Sequence, residues 1–307
     1  METLLSSKRM SYWRSWVLTD TPQSRRQAAI GMLYRGWLQF SRNWLAMTGL
    51  IVLLALFALA IFAPELATHD PDAQDLGQRL AAASAAHWFG TDQLGRDLFS
   101  RLLFGTRITL GMAALIVAIV APVGLLVGSV AGYAGGWTER ILMRITDVFL
   151  AFPKLVLALA FVSALKPGLT SVVLAIALTA WPPYARLARA ETLVIRNADF
   201  VSAIRLTGAS ATRIVLRHIM PLCISSVIVR VALDVSSIVL TAAGLGFLGM
   251  GAQAPSPEWG AMIASTRGFI LQQWWVPAIP GIAIFVASFA FNLLGDGLRD
   301  VFDPKSE

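Results

Sequence analysis

The strongest constraint on this chain is a series of long stretches that lack a single charged side chain. A helix needs about 20 mostly apolar residues to cross a hydrocarbon core. Residues 43–64, 108–138, 167–185, 235–257 and 268–295 contain no Asp, Glu, Lys or Arg, and residues 141–165 carry only Arg144, Asp147 and Lys154. The pattern predicts six spans. The fifth starts near His218, because residues 221–240 are apolar except for Arg230 and Asp234. Only 14% of residues are charged and 56% are hydrophobic, whereas soluble domains carry about 25% charge. That balance excludes a disordered chain, a secreted disulfide scaffold and a typical nucleic-acid binder, despite a net charge of +7. Cys223 is the single cysteine and sits in an apolar stretch, so it reads as a buried free thiol.

Orientation follows from where basic residues fall, since segments retained in the cytoplasm keep positive charge. With the N-terminus inside, the inner pieces hold 17 of the 25 Lys and Arg residues, including Arg25, Arg26, Arg140, Arg186, Arg205, Arg213 and Lys305. Both termini are expected in the cytoplasm. The expected organisation is a tail over residues 1–43, a first transmembrane helix over 44–64, a periplasmic loop over 65–104, a core of five further transmembrane helices over 105–300, and a tail over 301–307. Within the tail Ile30, Leu33, Tyr34, Trp37, Ser41 and Trp44 recur at helical spacing beside Arg35 and Arg42, which suits a helix lying in the membrane interface. A plain tail is the alternative. The first apolar run is span-length and follows about 40 residues, so it reads as a retained anchor rather than a signal core.

The inner loop over residues 186–217 carries the most information. Asn197 is placed to cap a short helix, Phe200, Ala203, Ile204 and Thr207 are expected on one face, and Gly208 is placed to end it with a left-handed residue. Ser210 can cap a second helix running toward Pro221. Such a helix has the shape to enter a groove on another protein, or it packs on its own bundle.

The stretch Asp199-Phe200-Val201-Ser202-Ala203-Ile204-Arg205-Leu206-Thr207-Gly208, continuing through Ala209 and Ser210 to Ile219-Met220-Pro221, resembles the cytoplasmic coupling loop of ATP-binding-cassette (ABC) importer permeases. Ala203, Gly208 and Pro221 fit the family pattern; Ser202 stands where the family prefers Glu, Ile204 replaces an Ala, His218 an Ile and Met220 a Leu. Further segments narrow the resemblance to the C-type permease of the dipeptide, oligopeptide and nickel family. These are His87-Trp88-Phe89-Gly90-Thr91-Asp92 with Gly95-Arg96-Asp97, Arg144-Ile145-Thr146-Asp147 with Pro153, Gly246-Phe247-Leu248-Gly249 with Glu258-Trp259-Gly260-Ala261-Met262, and Asn292-Leu293-Leu294-Gly295-Asp296-Gly297-Leu298-Arg299-Asp300. The resemblance implies an all-α fold of six transmembrane helices, the type I ABC importer permease fold, in a bacterial inner membrane. It also implies half of a pathway for short peptides or peptide-like solutes, with nickel complexes or glutathione as alternatives inside the family. The implied partners are a second permease subunit, two cytoplasmic ATP-binding subunits and a periplasmic solute-binding protein. Asp199, Phe200, Val201, Ser202, Ala203, Ile204, Gly208, Ala209 and Ser210 are then the residues expected to couple to the ATPases.

No Lys sits in a phosphate-cradling glycine loop, so ATP and Mg are expected on the partner subunits and this chain is expected to be no enzyme. His69, His87 and His218 read as too scattered for a metal site. Gly244, Gly246 and Gly249 lie inside a span and suit close helix packing. Arg144, Asp147 and Lys154 share one face if the third span is a single helix, and Arg230 lies four residues before Asp234. Asp147, Lys154, Arg230 and Asp234 are therefore candidate pathway residues, with an internal ion-pair network as the competing reading. Trp274 and Trp275 suit an outer interfacial belt. The acidic outer loop either meets a binding protein or packs on itself. A secondary transporter is disfavoured by the lack of a visible internal repeat.

Overall fold

The computed structural model describes residue 14, residues 16–19 and residues 23–302. Lys8, Arg9 and Lys305, with the rest of residues 1–13, residues 15 and 20–22 and residues 303–307, lie outside the described residues. The described chain is helical, and its one β-pairing is the isolated antiparallel bridge between Thr91 and Asp97. In chain order the main helices are α1 (Arg25–Arg42), α2 (Trp44–Ile61), α3 (Leu98–Ala134), α4 (Gly136–Ala151), α5 (Lys154–Leu165), α6 (Leu169–Ala180), α7 (Pro182–Ile195), α8 (Asp199–Leu206), α9 (Met220–Phe247), α10 (Trp259–Thr266) and α11 (Trp275–Phe302). Five stretches are long and apolar enough to span a membrane, and α4 with α5 makes a sixth, broken one.

The helices begin and stop where local chemistry dictates. Ser24 caps α1 by accepting from the Gln27 amide, and Asn43 caps α2 by accepting from the Leu45 and Ala46 amides. The Asp97 carboxylate caps α3 at the Ser100 amide, 2.8 Å away. The outer loop consequently ends at residue 97, and residues 98–104 are already helix. The third span is bent by 94° between α4 and α5. Pro153 has no N–H and forces extended geometry on Phe152, whose φ is −97° and ψ 145°. The shared face expected for Arg144, Asp147 and Lys154 is therefore lost. The fourth span runs further than its uncharged run, because Pro182 and Pro183 occupy the first turn of α7 and the helix continues to Ile195. Residues 186–195 are thus helix rather than loop. The fifth span is helical from Ala211, through a π-turn at Val215–Ile219, to Phe247. The uncharged residues 248–257 form a turn that opens at Gly249, with φ +79°.

α1 exposes Leu33 and Trp37 while Phe40 is buried. α2 buries only Ala46, Gly49, Leu53 and Ala60, and that stripe meets α11, where a Cβ on Gly49 would lie 2.8 Å from the Ala290 carbonyl. Trp44, Ile51, Leu54, Phe57 and Ile61 are exposed, as lipid contact requires.

The most extensive packing is between α3 and α7. Gly124, Gly128 and Gly132 recur every four residues along α3, a spacing that lines one helix face with hydrogen atoms and lets backbones approach closely. A Cβ at Gly124 would meet Tyr184 at 2.3 Å, one at Gly128 would meet the Ala185 carbonyl at 2.3 Å, and one at Gly132 would meet Thr192 at 2.8 Å. Gly128→Leu should therefore pry the pair apart and lower the thermal midpoint of the detergent-solubilised protein by well over 5 °C, the scale of a core clash of several kcal/mol. Gly111→Ala on the same helix meets nothing within 4 Å and should leave the midpoint unchanged or slightly raised.

Candidate functional site

α8 and its flanks form a compact unit. Asp199 stands in the first turn and Arg205 in the last, each matching the helix dipole. Asn197 does not cap the helix; its amide donates instead to the Leu193 carbonyl at the end of α7, 3.1 Å away, and Ala198 occupies the cap position without a side-chain bond. Gly208 has φ +77° and ends the helix in the left-handed region, its amide bonded to the Arg205 carbonyl at 3.0 Å. Ser210 caps the next turn by accepting from the Arg213 amide.

The faces of α8 differ from the expected arrangement. Val201 is fully buried, and Ile204 and Ala209 pack half-buried against the core. Phe200, Ser202, Ala203 and Thr207 face outward, and so does Leu206, which is 90% exposed. Ile204 thus belongs to the inner face and not with Phe200, Ala203 and Thr207. Arg205 ties the unit to the end of α3, its Nε donating to the Tyr133 hydroxyl at 3.3 Å and its guanidinium lying 5.1 Å from the Tyr133 ring centre. One side of α8 is anchored while the other presents apolar side chains.

The opposite end of the bundle carries a tied-down loop. Asp92 pairs with Arg96 at 2.7 Å. Arg101 donates to the Pro71 carbonyl at 2.8 Å and to the Pro255 carbonyl at 3.1 Å, so one guanidinium joins residues 62–97 to residues 248–258. Glu258 accepts from the Gly260 and Ala261 amides, each at 2.8 Å, and caps α10. Burial pushes its carboxyl above the ordinary range while those two amides pull it down. Trp259 is fully buried and donates to the Leu102 carbonyl at 3.2 Å. The expectation of scattered histidines needs correcting: the His69 and His87 rings lie 4.6 Å apart, and His87 Nδ1 is 2.9 Å from Asp97. The fold brings residues 69, 87 and 97 together because the loop turns back onto the start of α3. Among these contacts the loop packs on itself.

The charged groups within the bundle form two separate sets. Asp147 accepts from Arg186 at 2.6 Å, and Glu139 accepts from Arg189 Nε at 2.7 Å, joining α4 to α7. Arg230 Nε meets Asp234 at 2.9 Å on α9, as its four-residue spacing suggests. Lys154, at the start of α5, lies in the field of Asp234 and Arg230. The buried Tyr184 hydroxyl lies beside Asp234. Of the four candidate pathway residues, Lys154, Arg230 and Asp234 come together and Asp147 does not.

Residues 124–307 match the family described as binding-protein-dependent transport system inner membrane component, and residues 31–83 match the N-terminal transmembrane domain of oligopeptide transport permease C. The chain belongs to the binding-protein-dependent transport system inner membrane component family. Among its relatives, a probable D,D-dipeptide transport system permease protein of Escherichia coli (strain K12) is 47% identical over 85% of this permease and 88% of that protein. A di/tripeptide transport system permease protein of Pseudomonas aeruginosa (strain UCBPP-PA14) is 42% identical over 88% and 91%. A glutathione transport system permease protein of Pectobacterium atrosepticum is 40% identical over 96% and 99%. The inward-facing MetNI methionine ABC transporter shares the fold, with a TM-score of 0.55 at 20% identity over 67% of this permease and 98% of that chain. The permease is a multi-pass membrane protein with the type I importer fold, a transport subunit of an ABC assembly.

Tyr133, Tyr184 and Leu206 were not foreseen as site residues. Leu206 carried a signal in its three-residue spacing from Ala203, whereas the tyrosines act through contacts across helices distant in sequence. Val201→Ala in the permease should cost about 1–3 kcal/mol locally and speed amide hydrogen exchange over α8. Leu206→Ala should leave that exchange unchanged in the isolated subunit, since Leu206 touches little of its own chain.

Proposed function

We propose that this permease forms half of the translocation pathway of an ATP-driven importer for short peptides or peptide-like solutes, glutathione among them. The single observation that carries the reading is the division of α8 into an anchored side, through Val201 and Arg205, and an outward apolar side, through Phe200, Ala203 and Leu206. An amphipathic helix with its apolar face outward and its other face fixed is built to seat in a groove of a partner and to pass force into its own bundle. The occupied groove belongs to an ATP-binding subunit. Two such subunits, holding ATP and Mg, close on nucleotide binding and move α8 as a lever, so that this permease and a second permease subunit rock between outward-open and inward-open states.

The solute class is supported by the D,D-dipeptide, di/tripeptide and glutathione permeases among the relatives. A periplasmic binding protein delivers the solute to the end of the bundle closed by Arg101 and Glu258. Both termini and α8 lie in the cytoplasm of a bacterial cell, which the clustering of Arg186, Arg189, Arg196, Arg205, Arg213 and Arg217 around that end supports. Asp199 and Ser202, exposed beside Phe200, complete the contact surface, while Ile204, Gly208, Ala209 and Ser210 set the shape of the turn.

Gly208→Val places a β-branched residue at positive φ, at a cost of about 1–3 kcal/mol. In reconstituted vesicles containing the whole complex, the variant should insert and assemble but lose most ATP-dependent dipeptide uptake, with ATPase activity no longer stimulated by loaded binding protein. Wild-type uptake by this variant would remove the lever from the proposal.

A further inference from the structure

The Asp97 side chain is fully buried, and His69 and His87 are its only ion-pair partners among the described residues. A buried carboxylate that no Lys or Arg reaches needs a cation from elsewhere. Its two oxygens are used differently. Oδ2 accepts from the Ser100 amide at 2.8 Å and lies 3.4 Å from the Thr68 hydroxyl. Oδ1 faces His87 Nδ1 at 2.9 Å and His69 Nδ1 at 3.9 Å.

Neighbouring bonds assign the tautomer of His87. The Gln78 side-chain nitrogen donates to Asp75 at 3.0 Å, which turns the amide oxygen toward His87 Nε2, 3.1 Å away. Reversing that amide would set its oxygen against the Asp75 carboxylate, and the Thr91 hydroxyl holds the main chain of Gln78 through its carbonyl. His87 therefore donates from Nε2, and a neutral imidazole with its hydrogen there has a lone pair at Nδ1. That lone pair meets one of Asp97 Oδ1 across 2.9 Å. The gap calls for a cation, either a second ring hydrogen or a metal ion. His69 decides between them, because a hydrogen needs one imidazole and the fold delivers two. The rings lie 4.6 Å apart, and one donor atom from each of the three residues lies within 4.8 Å of the others. The His69 amide donates to Ser100 Oγ at 3.1 Å, which fixes residue 69 against the first turn of α3. The Thr68 hydroxyl is 3.0 Å from His69 Nδ1, and by turning its hydrogen to Asp97 Oδ2 it leaves that nitrogen free to ligate.

We propose that His69, His87 and Asp97 form a binding site for a divalent transition-metal ion, Zn2+ by its ligand set, which clips the outer loop to the start of α3. Two imidazole nitrogens and one carboxylate oxygen leave the fourth tetrahedral position to water. Donors at about 2.0–2.1 Å from zinc stand about 3.4 Å apart, so the His87–Asp97 spacing opens slightly and His69 closes in. His69 is free to do so, with 39% of its side chain exposed, whereas His87 and Asp97 are held. Gln78 acts on the metal through His87, fixing the tautomer that presents Nδ1. Thr68 and His69 line an open cleft with Pro64 and Phe104, which gives an ion its way in. The site belongs to this chain alone and does not depend on the nature of the transported solute.

The test uses the full-length permease in detergent, with its affinity tag removed and metals stripped by a chelator, and Zn2+ alone as the probe. Competition against a chromogenic chelator should show one zinc ion bound per chain. Amide hydrogen exchange over residues 69–97 should slow several-fold on addition of zinc and stay unchanged with Mg2+, which prefers all-oxygen ligands. His69→Ala should weaken zinc binding by a factor of about 10–100 or more and abolish the slowing, while its metal-free exchange matches the wild type. His69→Cys, which offers a thiolate, should restore both. Gln78→Leu keeps the three ligands and should weaken binding about tenfold, which covers the case in which His69→Ala fails to fold. No zinc bound by the wild type would mean that a ring hydrogen fills the gap, and would overturn the site. Zinc affinity unchanged in both His69→Ala and Gln78→Leu, or zinc bound without slower exchange over residues 69–97, would mean an adventitious ion only and would overturn it equally.

Discussion

Close approach of α3 and α7 through Gly124, Gly128 and Gly132 is the contact on which both functional regions depend. Between helices in lipid there is no hydrophobic drive, so association rests on backbone proximity and dispersion, and glycines at one face supply both. The consequences run outward along the two helices. Tyr184 on α7 is pressed against Gly124 and so held beside Asp234, while Tyr133 at the end of α3 holds Arg205 of α8. α7 itself runs without a break into the turn that begins α8. α8 is thus tied to the end of α3 and follows directly on α7, and Tyr184 links that pair to Asp234 on α9.

The same pairing explains the order of rigidity along the molecule. At one end, Arg101 clamps two loops to α3 and Glu258 fixes the start of α10, so that end is bound by charge-assisted bonds to backbone. At the other, α8 is held by the buried Val201, the half-buried Ile204 and the contact of Arg205 with Tyr133, and ends in a glycine turn. The two ion pairs Asp147–Arg186 and Glu139–Arg189 brace α4 against α7 between these extremes.

Much of the fold was legible because a membrane span announces itself by length without charge. The first, second and sixth spans, the early start of the fifth and the left-handed end at Gly208 all followed from local chemistry. What was not legible depended on contacts between distant segments. Pro153 was visible in the sequence, but whether a proline kinks a span gently or turns it by 94° is decided by what the second half packs against. The face of α8 was misjudged at Ile204 because the helix is too short for periodicity alone to choose between two directions one residue apart; the depth of Val201 decides it. The charges of residues 186–196 looked like a loop because they are polar, yet they ride on a helix that continues past the apolar run. Lys154, Arg230 and Asp234 were visible as intramembrane charges, whereas their company with Tyr184, and the separation of Asp147 from them, are properties of the assembled bundle.

Because Cys223 is the single native cysteine and is fully buried, a cysteine introduced on the surface reports its own surroundings. The most direct test of the account places one at Leu206 and, separately, one at Trp88 on the opposite end, which is 55% exposed, and treats the complete complex in sealed vesicles of known orientation with a short thiol-specific cross-linker. The account predicts that position 206 joins to an ATP-binding subunit, with a yield that changes when ATP is added, and that position 88 does not. A cross-link to that subunit from position 88, or its absence from position 206 in a complex that transports, would contradict it.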